Sequence, residues 1–280
     1  RGILRLDSNS IGQTDRFFCL DAMRGVAAIA VVLLHMNSFS GENFAPGGDL
    51  AVDFFFALSG FVIARAYRER LLSGLSIAEF CKIRVIRLYP LFILGVGLGI
   101  FKEVGKIVLH LPNASSWGSL IEMVLTNGLL LPTPDQQFLF PLNNPDWSLF
   151  LEIIVNLIYA VLLVRLPLRW LVAACFISAC AVIWGSITVG NISLGPDWAT
   201  LHYGFSRIGY SFILGAILAH FWNQPMRRAT YLAALPVIAL IFFLTVHMPA
   251  NIRIFYNPII AIFVLPMTLW VGSVWEIPRP

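Results

Sequence analysis

The sequence is short of charge. Only 12% of its 280 residues are Asp, Glu, Lys or Arg, against about 25% in soluble domains. With 58% hydrophobic residues and a mean hydropathy of +0.80, that shortage excludes an ordinary soluble enzyme. Short alternating strands separated by turns are missing too, which excludes a membrane β-barrel. Cysteine is scarce. Cys19, Cys81, Cys175 and Cys180 show no metal-ligand spacing and lie in or beside apolar runs, so they read as small packing residues. No internal repeat, low-complexity tract or soluble domain interrupts the chain. The net charge of +4 and a pI near 9 do not indicate nucleic acid, because the basic residues sit between apolar runs.

What is present is a series of apolar runs. About 20 apolar residues are needed to cross the hydrocarbon as a helix. Eight spans are predicted: 17–39, 51–66, 88–108, 147–165, 170–189, 206–222, 231–247 and 257–275. The second is short. Between the second and third lie Arg65, Arg68, Arg70, Lys82, Arg84 and Arg87, which makes that loop cytoplasmic and the amino terminus cytoplasmic with it. The segment 37–50 has neither Lys nor Arg and faces outward. A further apolar run, 117–131, is ambiguous. If it crossed, Arg165, Arg169, Arg227 and Arg228 would fall outside. The segment 109–146 is therefore read as a long outer stretch with an interfacial or re-entrant helix. Lys102, Lys106, Arg207 and Arg253 remain as outer exceptions. The fold expected is an all-α integral membrane protein, one domain over 1–280, in the cytoplasmic (inner) membrane. The first apolar run begins late and holds an acid and a base, so it is not read as a cleavable signal peptide. The chain starts at Arg1 and reads as a partial sequence.

Ionisable groups inside a span cost about 2.5–3.5 kcal/mol each on insertion scales. The first span nevertheless carries Asp21, Arg24 and His35. Arg24 and His35 are eleven residues apart, about 16 Å of helix, which puts Arg24 at the inner end and His35 at the outer. A histidine there is either bonded to a neighbouring carbonyl, an interface anchor, or a general base. Glu152 follows Asp146-Trp147-Ser148 into the fourth span, at a depth similar to that of His35 on this reading. It forms a structural ion pair, a pair with His35, or part of a proton relay; Trp147 alone reads as an interface anchor. Asp53 would pair with His35 or bind a polar acceptor, and Ser59 and Gly60 permit close approach. Arg84 and Arg87 share a helix face and either set topology and touch anionic lipid or grip a phosphate.

In order along the chain stand Leu20-Asp-x-x-Arg24-Gly, His35, Phe54-Phe-x-x-Leu-Ser-Gly-Phe61, Arg84-x-x-Arg87-x-Tyr89-Pro90 and Trp147-Ser-Leu-x-x-Glu152. The series resembles the membrane acyltransferase 3 family, whose members O-acylate sugars of cell envelopes and other extracytoplasmic or small-molecule acceptors. The motifs cover residues 16 to about 160. The resemblance implies a bundle of about ten spans, of which this chain would hold about eight, and so a carboxy-terminal truncation. It implies His35 as catalytic base, with Arg24 and Asp21 supporting a donor channel. Arg84 and Arg87 would hold the phosphates of an acyl-CoA co-substrate, acetyl-CoA foremost. Glu152 and Trp147 would shape the pocket of a carbohydrate acceptor. Asp53, Ser59, Tyr89 and Ser148 join the implied substrate-binding set. No permanently bound cofactor, metal or nucleic acid is implied, and a homo-oligomer stays open. Lipopolysaccharide sugars, exopolysaccharide, peptidoglycan and small glycosylated metabolites all fit as acceptors.

On this reading Glu152 would orient the His35 imidazole, as the third member of a triad does. Two rivals remain. A proton-coupled secondary transporter would need acid–base pairs along a path and internal two-fold repetition, and the sequence shows neither. A non-catalytic scaffold would not need His35.

Overall fold

The computed structural model describes residues 17–40, 44–190, 193–223 and 228–276; Arg227, one of the inner topology markers, lies outside the described residues. Among the described residues the chain forms nine helices. They are α1 (Phe18–Ser40), α2 (Gly48–Leu72), α3 (Ile77–Val108), α4 (Trp117–Gly128), α5 (Asp146–Val161), α6 (Leu168–Val189), α7 (Leu201–Phe221), α8 (Ala234–Thr245) and α9 (Ala250–Val274). Regular extended pairing there is confined to two residues on each side, Arg228–Ala229 parallel to Trp275–Glu276. The all-α membrane class is what the chain adopts.

Six helices are long and apolar enough to cross a bilayer: α1, α2, α3, α5 with its 3-10 extension to Arg165, α6 and α9. Two expected spans differ from this set. The run at 206–222 becomes α7, whose His202, Ser206, Arg207 and Ser211 lower its hydropathy while most of its length is buried in the bundle. The run at 231–247 yields α8 of 12 residues, preceded by a 3-10 turn at Tyr231–Ala233. Helix α4 is also 12 residues long. Twelve residues rise about 18 Å, short of the ~30 Å hydrocarbon. The 117–131 run therefore does not cross as a single helix.

Helices α2 and α3 outrun their expected bounds, at 25 and 32 residues. Hydropathy marks where a chain stops being apolar, whereas Arg, Glu, Ala and Lys continue a helix readily. The basic residues Lys82, Arg84 and Arg87 consequently lie inside α3. That helix starts where the Ser76 hydroxyl accepts from the Glu79 N–H at 3.1 Å, the Ser-x-x-Glu signature of a helix start.

The centre of the bundle is the crossing of α2 and α7. A Cβ on Gly60 would clash with the Phe212 carbonyl, and one on Gly215 with the Ala57 carbonyl. Only glycine permits that approach of two backbones. About two turns away, Arg207 is fully buried. Its Nε and Nη2 donate to the two carboxylate oxygens of Asp53 at 3.1 and 2.9 Å, and Nη1 and Nη2 donate to the carbonyls of Leu194 and Asp49. Asp53 thus meets Arg207 and not His35, and Arg207 is a core residue where hydropathy had suggested an outer exception. In α9, Pro266 offers no N–H to the Ile262 carbonyl four residues back, and the helix widens into a π-turn over Ile260–Val264. The Tyr210 hydroxyl of α7 donates to that carbonyl at 2.6 Å.

Arg207→Met leaves the Asp53 carboxylate unpaired in the core and should destabilise by about 3–5 kcal/mol. The double variant Asp53→Leu/Arg207→Met removes both charges and should recover most of that loss. Thermal unfolding of the detergent-solubilised protein measures both, and a double variant as damaged as the single would contradict the pairing argument.

Candidate active site

Helices α1 and α2 are antiparallel, and two contacts fix their register. A Cβ on Gly48 would lie 2.7 Å from Leu34 Cβ, so the start of α2 abuts the end of α1. At the opposite end the Phe61 and Phe17 rings meet edge-on, centroids 5.9 Å apart. Residues 59–61 of α2 therefore lie level with the Arg24 end of α1. The segment before α5 dips inward: Leu139, Phe140 and Leu142 are buried. A Cβ on Gly95 would stand 2.5 Å from the Asn143 amide nitrogen, so α5 begins halfway along α3.

Helix α1 packs mainly on α2, α8 and α9, whereas α3 packs mainly on α4 and α5. Between them is a cavity of about 700 Å³, within the ~300–1,000 Å³ usual for small-molecule sites. Helix α1 presents Arg24, Ala28, Val31 and His35 to it. Their spacing of four, three and four makes one stripe, so the cavity extends about 16 Å along α1. Its apolar wall includes Phe55, Phe56, Leu88 and Leu91.

The end near Arg24 is basic, with Arg84 and Arg87 one α3 turn apart. Arg84 is buried, its side chain 6% exposed, and its Nη2 donates to Glu152 Oε1 at 2.9 Å. The same oxygen accepts from the Ser59 hydroxyl at 2.8 Å. Arg87 is exposed to the cavity. Arg24 forms an i,i+3 pair with Asp21 at 2.8 Å, both over a third exposed, an arrangement of little net stability.

His35 marks the other end. Its Nδ1 lies 2.8 Å from the Val31 carbonyl. A carbonyl only accepts, so Nδ1 carries the proton and the neutral ring keeps its lone pair on Nε2. The polar residues Asp49, Asn143, Asn144 and Asp146 line the part of the cavity toward His35. Asn143 donates to Asp146 Oδ1 at 2.8 Å, while Asp146 Oδ2 and Asn144 Oδ1 are buried without a hydrogen-bond partner.

Of the residues singled out in sequence, Arg24, His35, Ser59, Arg84, Arg87, Trp147, Ser148 and Glu152 line this one cavity. Asp21, Asp53 and Tyr89 do not. The Tyr89 hydroxyl donates to the Gly128 carbonyl, tying α3 to α4. Trp147 is buried beneath the Arg207 guanidinium, 5.4 Å from its ring, and is not an interface anchor. Glu152 lies at the Arg24 end and is engaged by Ser59 and Arg84, so it does not share the depth of His35. The expectation of a shared depth assumed that α5 starts at the outer surface, and the inward dip of 139–146 removes that assumption. Asp49, Asn143, Asn144 and Asp146 were missed. The polar run Asn143-Asn144-Pro145-Asp146 against an apolar span was the available signal. Among the described residues no three His, Cys, Asp or Glu side chains converge as a metal site would need.

The chain matches the family described as an acyltransferase domain over residues 17–280. It is 41% identical over 160 residues to "Protein 2 in picA locus" of Rhizobium radiobacter, covering 52% of this chain and 82% of that one. It is 29% identical over 175 residues to "Acyltransferase MdmB" of Streptomyces mycarofaciens, covering 55% and 42%. With the "Putative peptidoglycan O-acetyltransferase YrhL" of Bacillus subtilis (strain 168) it shares 26% over 238 residues, covering 75% and 33%. The chain thus spans less than half the length of the last two. No solved structure gives a significant match.

Proposed function

This chain belongs to the acyltransferase domain family, and we propose that it is a multi-pass membrane O-acyltransferase that moves an acyl group, acetyl foremost, from acyl-CoA to a hydroxyl of an envelope or exported carbohydrate. The observation that carries this reading is the cavity. It joins a basic end at Arg24 and Arg87 to a histidine with a free Nε2 lone pair about 16 Å away. A donor with anionic phosphates, a long thin arm and a terminal thioester fits that distribution. Arg guanidiniums suit phosphates, and a phosphopantetheine arm is of the order of the ~16 Å between Arg24 and His35. The basic end is assigned to the cytoplasm, where the Arg-rich connection of α2 and α3 belongs. The membrane is then the cytoplasmic one.

In the reaction the acceptor hydroxyl gives its proton to His35 Nε2 as its oxygen attacks the thioester carbonyl. The tetrahedral intermediate collapses, the C–S bond breaks, and the imidazolium returns the proton to the departing thiolate. The products are an O-acyl ester and free coenzyme A. The Val31 carbonyl keeps the proton on Nδ1 throughout and steadies the imidazolium. His35 therefore takes its orientation from its own helix, and Glu152 serves the donor end.

The test uses the protein in membranes that contain its native acceptor, supplied with acetyl-labelled acetyl-CoA. Label should pass into alkali-labile esters of the carbohydrate fraction. His35→Gln should lower transfer about 10²–10⁴-fold, with coenzyme A affinity retained in direct titration. Undiminished transfer would remove His35 from the chemistry. Ala28 is exposed on the cavity stripe of α1. Ala28→Trp should obstruct the arm midway, leaving thermal stability intact but weakening acetyl-CoA binding at least tenfold; unchanged binding would place the donor elsewhere.

A further inference from the structure

The two arginines of Arg84-x-x-Arg87 lie one turn apart on α3 but have different surroundings. Arg87 is exposed and lines the cavity, and no carboxylate among the described residues is bonded to it. Arg84 is buried, and its guanidinium donates to Glu152 Oε1, the oxygen that also takes the Ser59 hydroxyl. A phosphate reaching for Arg84 would have to displace a charge-assisted bond and then sit beside the carboxylate it displaced. We propose that Arg84 is a positioning residue for Glu152 and that Arg87, without Arg84, meets the anionic phosphates of the donor. This rests on the donor reading above and divides between two residues a role that the spacing assigned to both.

The clamp has a mechanical consequence. Helix α3 takes its main packing from α4 and α5, so on the cavity side its link to α2 runs through Arg84, Glu152 and Ser59. The second Glu152 oxygen, Oε2, accepts from no side chain that the structure describes. The clamp thereby holds one carboxylate oxygen in place and leaves the other open to the cavity as an acceptor for a donor N–H or O–H. On this proposal Arg84 sets the width of the donor end and the aim of that oxygen and takes no phosphate, although its Nε is buried without a hydrogen-bond partner among the described residues.

The test compares Arg84→Gln, Arg84→Lys, Arg87→Gln, Glu152→Gln and the double Arg84→Gln/Glu152→Gln in the purified full chain. Coenzyme A affinity, donor KM, kcat and thermal stability are measured for each. Arg87→Gln should weaken coenzyme A binding at least tenfold. Arg84→Gln should leave that affinity within about threefold while lowering kcat at least tenfold, and Arg84→Lys should restore part of kcat. The double variant should be no worse than Arg84→Gln, since each single change strands a charged partner, Glu152 half-buried and Arg84 buried. Equal losses of coenzyme A affinity for Arg84→Gln and Arg87→Gln would overturn the division of roles, as would multiplying losses in the double variant. A wild-type protein that binds no coenzyme A would instead sink the donor reading. Thermal stability across the same variants would still support or refute the Arg84–Glu152 coupling.

Discussion

A charge inside a membrane bundle must find its counter-charge inside the same bundle, and this requirement organises the molecule. Asp53 and Arg207 satisfy it at the crossing of α2 and α7, where Gly60 and Gly215 bring the backbones close enough for bidentate contact. Arg207 also takes two backbone carbonyls and covers Trp147, so a single guanidinium fixes the wall of the cavity. Arg84 and Glu152 satisfy it at the basic end and join α3 to α5 and, through Ser59, to α2. Left unpaired, either charge would expel its helix from the bundle or leave it neutralised and mispacked.

The pairs leave a space where helices do not meet. Helices α1 and α3 belong to separate packing groups, and the cavity between them is open from Arg24 to His35. Its two ends differ in kind. One is cationic and braced by ion pairs; the other is a histidine set by its own backbone, facing amides and carboxylates with unfilled hydrogen-bonding capacity. On the proposed reading, that polarity separates the site of phosphate capture from the site of bond exchange. The proposed transfer between a cytoplasmic donor and an outer acceptor would require such a distribution.

Much of this was legible in the sequence, and the failures share a cause. Composition fixed the class because apolar content directly reports the surrounding solvent. Eight of the eleven residues singled out by motif gather on one cavity. Depth was not legible. Glu152 was placed beside His35 because hydropathy shows where a run is apolar and says nothing of where its first turn sits in the bundle. The dip of Leu139 to Asp146 depends on Gly95 facing Asn143, a contact between residues almost fifty apart. Asp53 was read as a partner of His35 or a contact for a polar acceptor for the same reason. Its partner Arg207 lies more than 150 residues away, and only the α2–α7 crossing brings them together. Helix lengths failed differently, since α2 and α3 continue past their apolar ends on polar residues that favour helix.

The central claim is that one cavity holds the donor lengthwise, phosphates at the basic end and thioester at His35. The most direct measurement is the structure of the full chain bound to a non-transferable acetyl-CoA analogue in lipid nanodiscs. The account predicts phosphate density against Arg87, with Arg84 still on Glu152, and the acyl carbon within hydrogen-bonding reach of His35 Nε2. Phosphate density at the His35 end, or a donor lying outside the space between α1 and α3, would contradict it.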